Sequence, residues 1–94
     1  MVIHLLTLLI ELPGCFSLKD KRSRLKPLLA RFHQKFNLSA AEIDHLDRWQ
    51  SSVIACVMVS NDAQHNQRVL QQVVDFIETD FPDLLIQQQR IERV

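Results

Sequence analysis

Two stretches, residues 2–12 and 51–60, carry apolar side chains at both odd and even positions. In the first, Val2, Leu6, Leu8, Ile10 and Leu12 alternate with Ile3, Leu5 and Leu9, and His4, Thr7 and Glu11 are the polar exceptions. In the second, Val53, Ala55, Val57 and Val59 alternate with Ile54, Cys56 and Met58. Successive side chains of a strand point to opposite faces of its sheet, so a strand apolar on both faces belongs at the centre of a sheet. Two such strands demand edge strands outside them and a layer that covers at least one face. Pro13-Gly14 breaks the first run.

The covering layer is written at helical spacing. Ser17 is placed to cap a helix, with Asp20 three residues on as in a capping box. Leu18, Leu25, Leu28, Leu29, Phe32 and Phe36 fall in one stripe about 100° wide, which predicts an amphipathic helix over residues 18–36. Pro27 stands on the outward side of that helix; a proline there is expected to kink or split it, at a cost of about 3 kcal/mol if unrelieved. A second helix over 62–79, capped by Asn61 or Asp62, buries Val69, Leu70, Val73, Val74, Phe76 and Ile77. Asn66 lies in the middle of that apolar face, where a hydrogen bond to a neighbouring loop is expected.

Residues 38–44 form a weak strand, poor in β-branched residues and suited to an edge. Residues 45–50 are a polar connection in which Trp49 reads as a hydrophobic plug or an interface anchor. Residues 84–93 make a last strand that starts apolar and ends polar.

The resulting order, β-α-β-β-α-β, is the split β-α-β pattern of a ferredoxin-like sandwich. The expectation is an α+β fold in a single domain, residues 1–94: a four-stranded antiparallel sheet with two helices on one face. Right-handed crossovers put strands one and three side by side in the middle, which suits their apolar faces. The opposite face has no helix to cover it. Ile3, Leu5 and Leu9 would be left beside the strand-three set, and a patch of that kind marks an interface. A chain of 94 residues buries only about 60–65% of its unfolded surface, so self-association into a homo-oligomer through the open face is expected.

No apolar stretch approaches the roughly 20 residues that span a bilayer, so no membrane role is expected. The apolar opening lacks a basic leader, and Leu12-Pro13-Gly14 stands where a cleavage site would be. Cys15 and Cys56 are too few for a disulfide framework and read as reduced thiols, which fits a cytoplasmic protein. Cys15 is near a cation-rich helix start, where thiol pKa values fall, but a small residue packed in a turn is the better account of it.

The net charge is zero, yet residues 17–36 hold seven of the eleven Lys and Arg, whereas residues 37–94 hold nine of the eleven acids. Lys19, Lys21, Arg22, Arg24 and Lys26 crowd the first two turns of the first helix, against the preference of a helix N-terminus for acids. Free N–H groups with clustered cations make an anion site, and phosphate is the obvious anion. The functional expectation is RNA or the ribosome, bound through its backbone. The competing expectation is a solvated helix surface. No aromatic lies on the sheet in the pattern that stacks bases, so shape rather than sequence would be read, with no DNA sequence specificity. Asp44, His45 and Asp47 offer a third possibility, a metal site or a catalytic carboxylate–imidazole pair, but their spacing is that of a hairpin. His4 reads as a satisfied core or edge histidine. No residue is assigned to catalysis, and no metal or cofactor is implied.

Leu12-Pro13-Gly14-Cys15-Phe16-Ser17-Leu18-Lys19-Asp20-Lys21-Arg22 resembles the opening of the YlxP-like family of small bacterial proteins of unknown function. Ala41-Glu42-Ile43-Asp44-His45, followed by Trp49-Gln50, resembles the family's second signature, and Ser60-Asn61-Asp62 opening a helix also fits. The resemblance spans nearly the whole chain. It implies a ferredoxin-like fold, a bacterial cytoplasm and, because the family's gene often neighbours genes for translation initiation and ribosome maturation, a ribosome-linked role. The family's basic helix start maps onto Lys19, Lys21 and Arg22, and it supplies no catalytic residues. Pro27 and Leu46 depart from the family pattern, which favours a helix former and a polar residue at these places.

Overall fold

The computed structural model describes residues 1–94. Its elements run β1 (Val2–Glu11), α1 (Leu18–Lys35), β2 (Ser39–Asp44), β3 (Ser51–Ser60), α2 (Ala63–Asp80) and β4 (Leu85–Arg93). The strands form one sheet in the order β2-β3-β1-β4, every neighbouring pair antiparallel. This is the α+β, ferredoxin-like arrangement, with the two doubly apolar strands in its centre.

The register between β1 and β3 is unbroken from Val2 opposite Ser60 to Glu11 opposite Ser51. It sends His4, Leu6, Leu8 and Ile10 to the same face as Ser52, Ile54, Cys56 and Met58, and all eight are buried. The helices cover that face, with Leu25, Leu28 and Phe32 of α1 and Leu70, Val73, Val74, Phe76 and Ile77 of α2 completing the core. Phe32, Phe36 and Phe76 close the seam between the helices, their ring centroids 5.8 to 6.5 Å apart in tilted and edge-on contacts.

Both edge strands are irregular. The β1–β4 register shifts between Leu9 and Ile10, and the β2–β3 register shifts between Glu42 and Asp44. The open face carries Ile3, Leu5, Thr7 and Leu9 of β1, half-buried, beside Val53, Ala55, Val57 and Val59 of β3.

Pro27 neither splits nor ends α1, which runs unbroken for 18 residues. Pro27 is exposed, and so is Ser23, whose carbonyl loses the bond that the proline lacks. That carbonyl faces water, which can take the place of the missing donor. Ser17 caps α1 by accepting a hydrogen bond from the Asp20 N–H at 3.0 Å. The Asp20 carboxylate does not return the bond and lies 3.5 Å from Arg24 instead, so only half of a capping box is present. For α2, Asp62 rather than Asn61 is the cap, accepting from the N–H groups of Gln64 and His65.

Candidate functional site

The basic run of α1 divides in two. At 100° per residue, Lys21 points into the middle of the Leu18–Leu25–Leu28–Phe32 stripe, whereas Lys19, Arg22 and Lys26 share one flank. Lys21 is accordingly buried, at 2% exposure. Its Nζ donates to the His45 carbonyl at 2.7 Å and lies 2.7 Å from Glu42 Oε2. The Ser52 hydroxyl donates to the same Glu42 oxygen at 2.6 Å. A buried ammonium is tolerated only when paired and hydrogen-bonded; Glu42 of β2 and the His45 carbonyl of the β2–β3 loop meet that need, and Ser52 of β3 holds the carboxylate in place. Lys21 is therefore a structural clamp and not a free phosphate ligand, which corrects the expectation from sequence.

Arg24 is also engaged, donating to the Pro13 carbonyl at 2.8 Å. This bond ties α1 to the turn at Gly14, whose φ of 71° suits glycine. The N-terminal donors of α1 are partly used by the Ser17 cap, so the helix end itself is less open to an anion than its sequence suggests. Lys19, Arg22 and Lys26 are exposed and make no ion pair or hydrogen bond within the chain. Arg22 and Lys26 border a groove of about 440 Å³ between α1 and the β2–β3 loop. Leu18, Leu25, Leu29 and Leu46 supply its apolar walls, and the Lys21–Glu42 pair lies at its base.

The Asp44–Asp47 segment is a turn. His45 has φ of 58°, its N–H donates to its neighbour Asp44 Oδ1 at 2.7 Å, and its carbonyl accepts from the Arg48 N–H at 3.0 Å. Its Nδ1 lies 2.7 Å from the Ser51 hydroxyl. The imidazole is thus paired with a serine rather than with a carboxylate, and Asp44, His45 and Asp47 do not converge as a metal-ligating group. Cys15 is buried, its Sγ 3.5 Å from the Ser17 carbonyl. Burial pushes the Cys56 thiol up from its ordinary 9.0 to about 12, which leaves it protonated and unreactive at neutral pH.

A second buried polar cluster locks the far end of the sheet. Asn66 Nδ2 lies 3.0 Å from His4 Nδ1 and donates to the Val2 carbonyl at 3.2 Å; the Ser60 hydroxyl donates to Asn66 Oδ1 at 2.6 Å. The partners of Asn66 are the start of β1 and the end of β3, not a loop.

The loops joining β1 to α1 and β2 to β3 meet at one end of the molecule. The Leu12 N–H donates to the Gln50 carbonyl at 2.9 Å, and the Lys21–His45 bond ties the second loop to α1. Three apolar side chains stand out into solvent here: Phe16 at 69%, Leu46 at 58% and Trp49 at 50% exposure. Trp49 is thus not a buried plug. Phe16 was not singled out by sequence, though a signal exists. It precedes the helix cap, where an apolar residue ordinarily packs on the fourth helical residue. That residue is Lys21, which is drawn away to Glu42, and Phe16 is left without its partner. Both stretches on which the family resemblance rests converge on this end.

A family described as "Protein of unknown function (DUF503)" matches residues 3–90. The chain belongs to the DUF503 family. An uncharacterized protein of Bacillus subtilis (strain 168), YlxP, is 40% identical over 68 residues, which is 72% of this chain and 73% of that protein. The DUF503 match takes in the loop-bearing end, the whole of both helices and the central strands. No helix is long and apolar enough to cross a membrane.

Proposed function

We propose that this DUF503 protein is a non-enzymatic, cytoplasmic accessory factor that binds the phosphate backbone of RNA, on or near the ribosome, through Lys19, Arg22 and Lys26. One observation carries the reading: these three exposed cations lie on one flank of α1 with no intramolecular partner. Lys19 and Lys26 are separated by about 10 Å of helix axis, at 1.5 Å per residue. Three cations so arranged can follow a run of phosphates, and their chemistry is that of counterion release. Lys21 and Arg24 serve the same surface indirectly, by fixing α1 to the two loops.

Gel shift and ribosome co-sedimentation at rising salt test this. The expected result is binding that weakens with salt, with a slope of about −2 in log K against log salt for three phosphates of a single strand. Changing Lys19, Arg22 and Lys26 together to Glu should abolish it. Absence of binding at low salt, or indifference to the triple change, overturns the reading.

The open sheet face favours a second reading, self-association with another copy of this chain. Val57 and Val59 are 40% and 59% exposed, next to half-buried Ile3 and Leu5. Strands of ten, ten, nine and six residues at about 4.8 Å spacing and about 3.3 Å per residue give a face of about 550 Å². Two such faces would bury about 1,100 Å², just above the roughly 1,000 Å² that a biological interface needs. The charged members of the β4 side, Arg90 and Glu92, pair with each other at 3.3 Å, so stacking two faces opposes no net charge there. Light scattering should give the mass of two chains, reduced to one by Val57→Lys with Val59→Lys. A monomeric wild-type chain overturns this second reading.

A further inference from the structure

We infer that the loop-bearing end is a stacking site for unpaired RNA bases, with Phe16 and Trp49 as the platforms and the α1 cations holding the adjoining phosphates. The inference rests on the phosphate reading above and goes beyond it, because it names the form of RNA and the residues that would select it.

Phe16 and Trp49 are the two most exposed aromatic side chains of the chain. All other phenylalanines are buried or half-buried in the core: Phe32, Phe36, Phe76 and Phe81. A chain that otherwise shelters its aromatics exposes two of them on adjacent loops. The loops are not loose. The Leu12–Gln50 bond fastens them to each other, the Lys21–His45 bond fastens the second to α1, and Arg24 fastens the first to α1 through Pro13. The platforms are therefore held in place before any ligand arrives, which lowers the ordering cost of binding.

The charge beside them fits the same ligand. Lys19 follows Phe16 by three residues at the start of α1, and Arg22 and Lys26 continue along the wall of the groove that Leu46 closes. On the second loop, Arg48 is exposed next to Trp49. The acids at this end are Glu11, Asp20, Glu42, Asp44 and Asp47. Asp20 pairs with Arg24 and Glu42 with Lys21, whereas Glu11, Asp44 and Asp47 have no cationic partner, so four free cations face three free carboxylates. Exposed aromatic rings next to unpaired cations are the chemistry of single-stranded nucleic-acid recognition: rings take bases, cations take phosphates. A duplex keeps its bases stacked on each other and offers only its phosphates. The sheet face, where aromatic stacking residues lie in other RNA-binding sheets, is aliphatic here, so the platforms are on the loops instead.

Trp49 is the only tryptophan, so its emission reports stacking directly. The experiment titrates the full chain with a short unstructured RNA oligonucleotide, and separately with an RNA duplex of the same length. The single strand should quench Trp49 emission and bind more tightly than the duplex. Phe16→Ala and Trp49→Ala should each weaken single-strand binding about tenfold, followed by anisotropy of a labelled oligonucleotide, and leave duplex binding unchanged. Trp49→Phe, which keeps a ring, should retain most of the affinity. Both side chains are exposed, so the variants should fold, and circular dichroism checks this. Salt-sensitive binding of both RNAs without quenching, or with affinity indifferent to both alanine changes, overturns the stacking site while the phosphate reading stands. If neither RNA binds, both readings are overturned.

Discussion

Lys21 of α1 and Glu42 of β2 meet at 2.7 Å across the seam between helix and sheet, with the ammonium almost wholly removed from water. The two ends of the pair are not equivalent, because Glu42 retains 20% exposure and Lys21 only 2%. Glu42→Ala strands a buried cation with the His45 carbonyl and should cost about 3 kcal/mol. Lys21→Met fills the same space with an apolar chain and leaves a carboxylate that still reaches water and Ser52, so it should cost about 1 kcal/mol. Urea unfolding of the two variants checks the order; equal losses would contradict it.

Asn66 is fully buried among apolar neighbours and satisfies three groups on two strands. Asn66→Leu removes all of those bonds and leaves the buried His4 Nδ1 without its partner. A loss of about 2 kcal/mol is expected. It should appear in hydrogen exchange as faster exchange at the start of β1 and the end of β3, while the α1–β2 seam stays protected.

The Cys56 thiol titrates near 9.0 when free and near 12 when folded. Between those values the unfolded chain has lost a proton that the folded chain keeps. Fewer protons on the unfolded state means that stability falls as pH rises through this window. The loss is absent at neutral pH and reaches about 1.4 kcal/mol at pH 10. Denaturation of wild type and Cys56→Ala from pH 8 to 10.5 should show a steeper decline for wild type, even though the variant starts from lower stability.

Pro27 occupies the exposed side of a continuous helix. Replacing it with alanine restores one backbone hydrogen bond and improves helix propensity, offset by greater freedom of the unfolded chain. A net gain of about 1–2 kcal/mol is expected, and a chain of this size should show it as a rise in Tm of roughly 4–8 °C per kcal/mol.

The sequence made the sheet order legible through Leu5, Val57 and their neighbours, because a strand apolar on both faces has one place to go. The bounds of β3, Ser51–Ser60, agree with the pattern of alternating residues at both ends. Other features needed the third dimension. Lys21 fell on the apolar stripe of α1, yet its charge pointed to a surface role; only the position of Glu42 on β2 explains how it is buried. Phe16 and Trp49, on the two loops that share the end of the molecule, are 33 positions apart, and no periodicity links them. The register shifts at Leu9/Ile10 and Glu42/Asp44 leave no mark in a two-residue period. Burial of His4 was legible from its neighbours, but its partner Asn66 lies 62 residues away.

Those two register shifts have a further result. They fall on the outermost strands, one on each side, and at the same end of the sheet. A strand joining from outside would need an even row of amide and carbonyl groups, and a bulge interrupts that row and twists it away. Neither margin of this sheet offers such a row along its whole length. The molecule is thereby poorly suited to growing sideways into a continuous ribbon, and its contacts with others are left to its broad open side and to its loops.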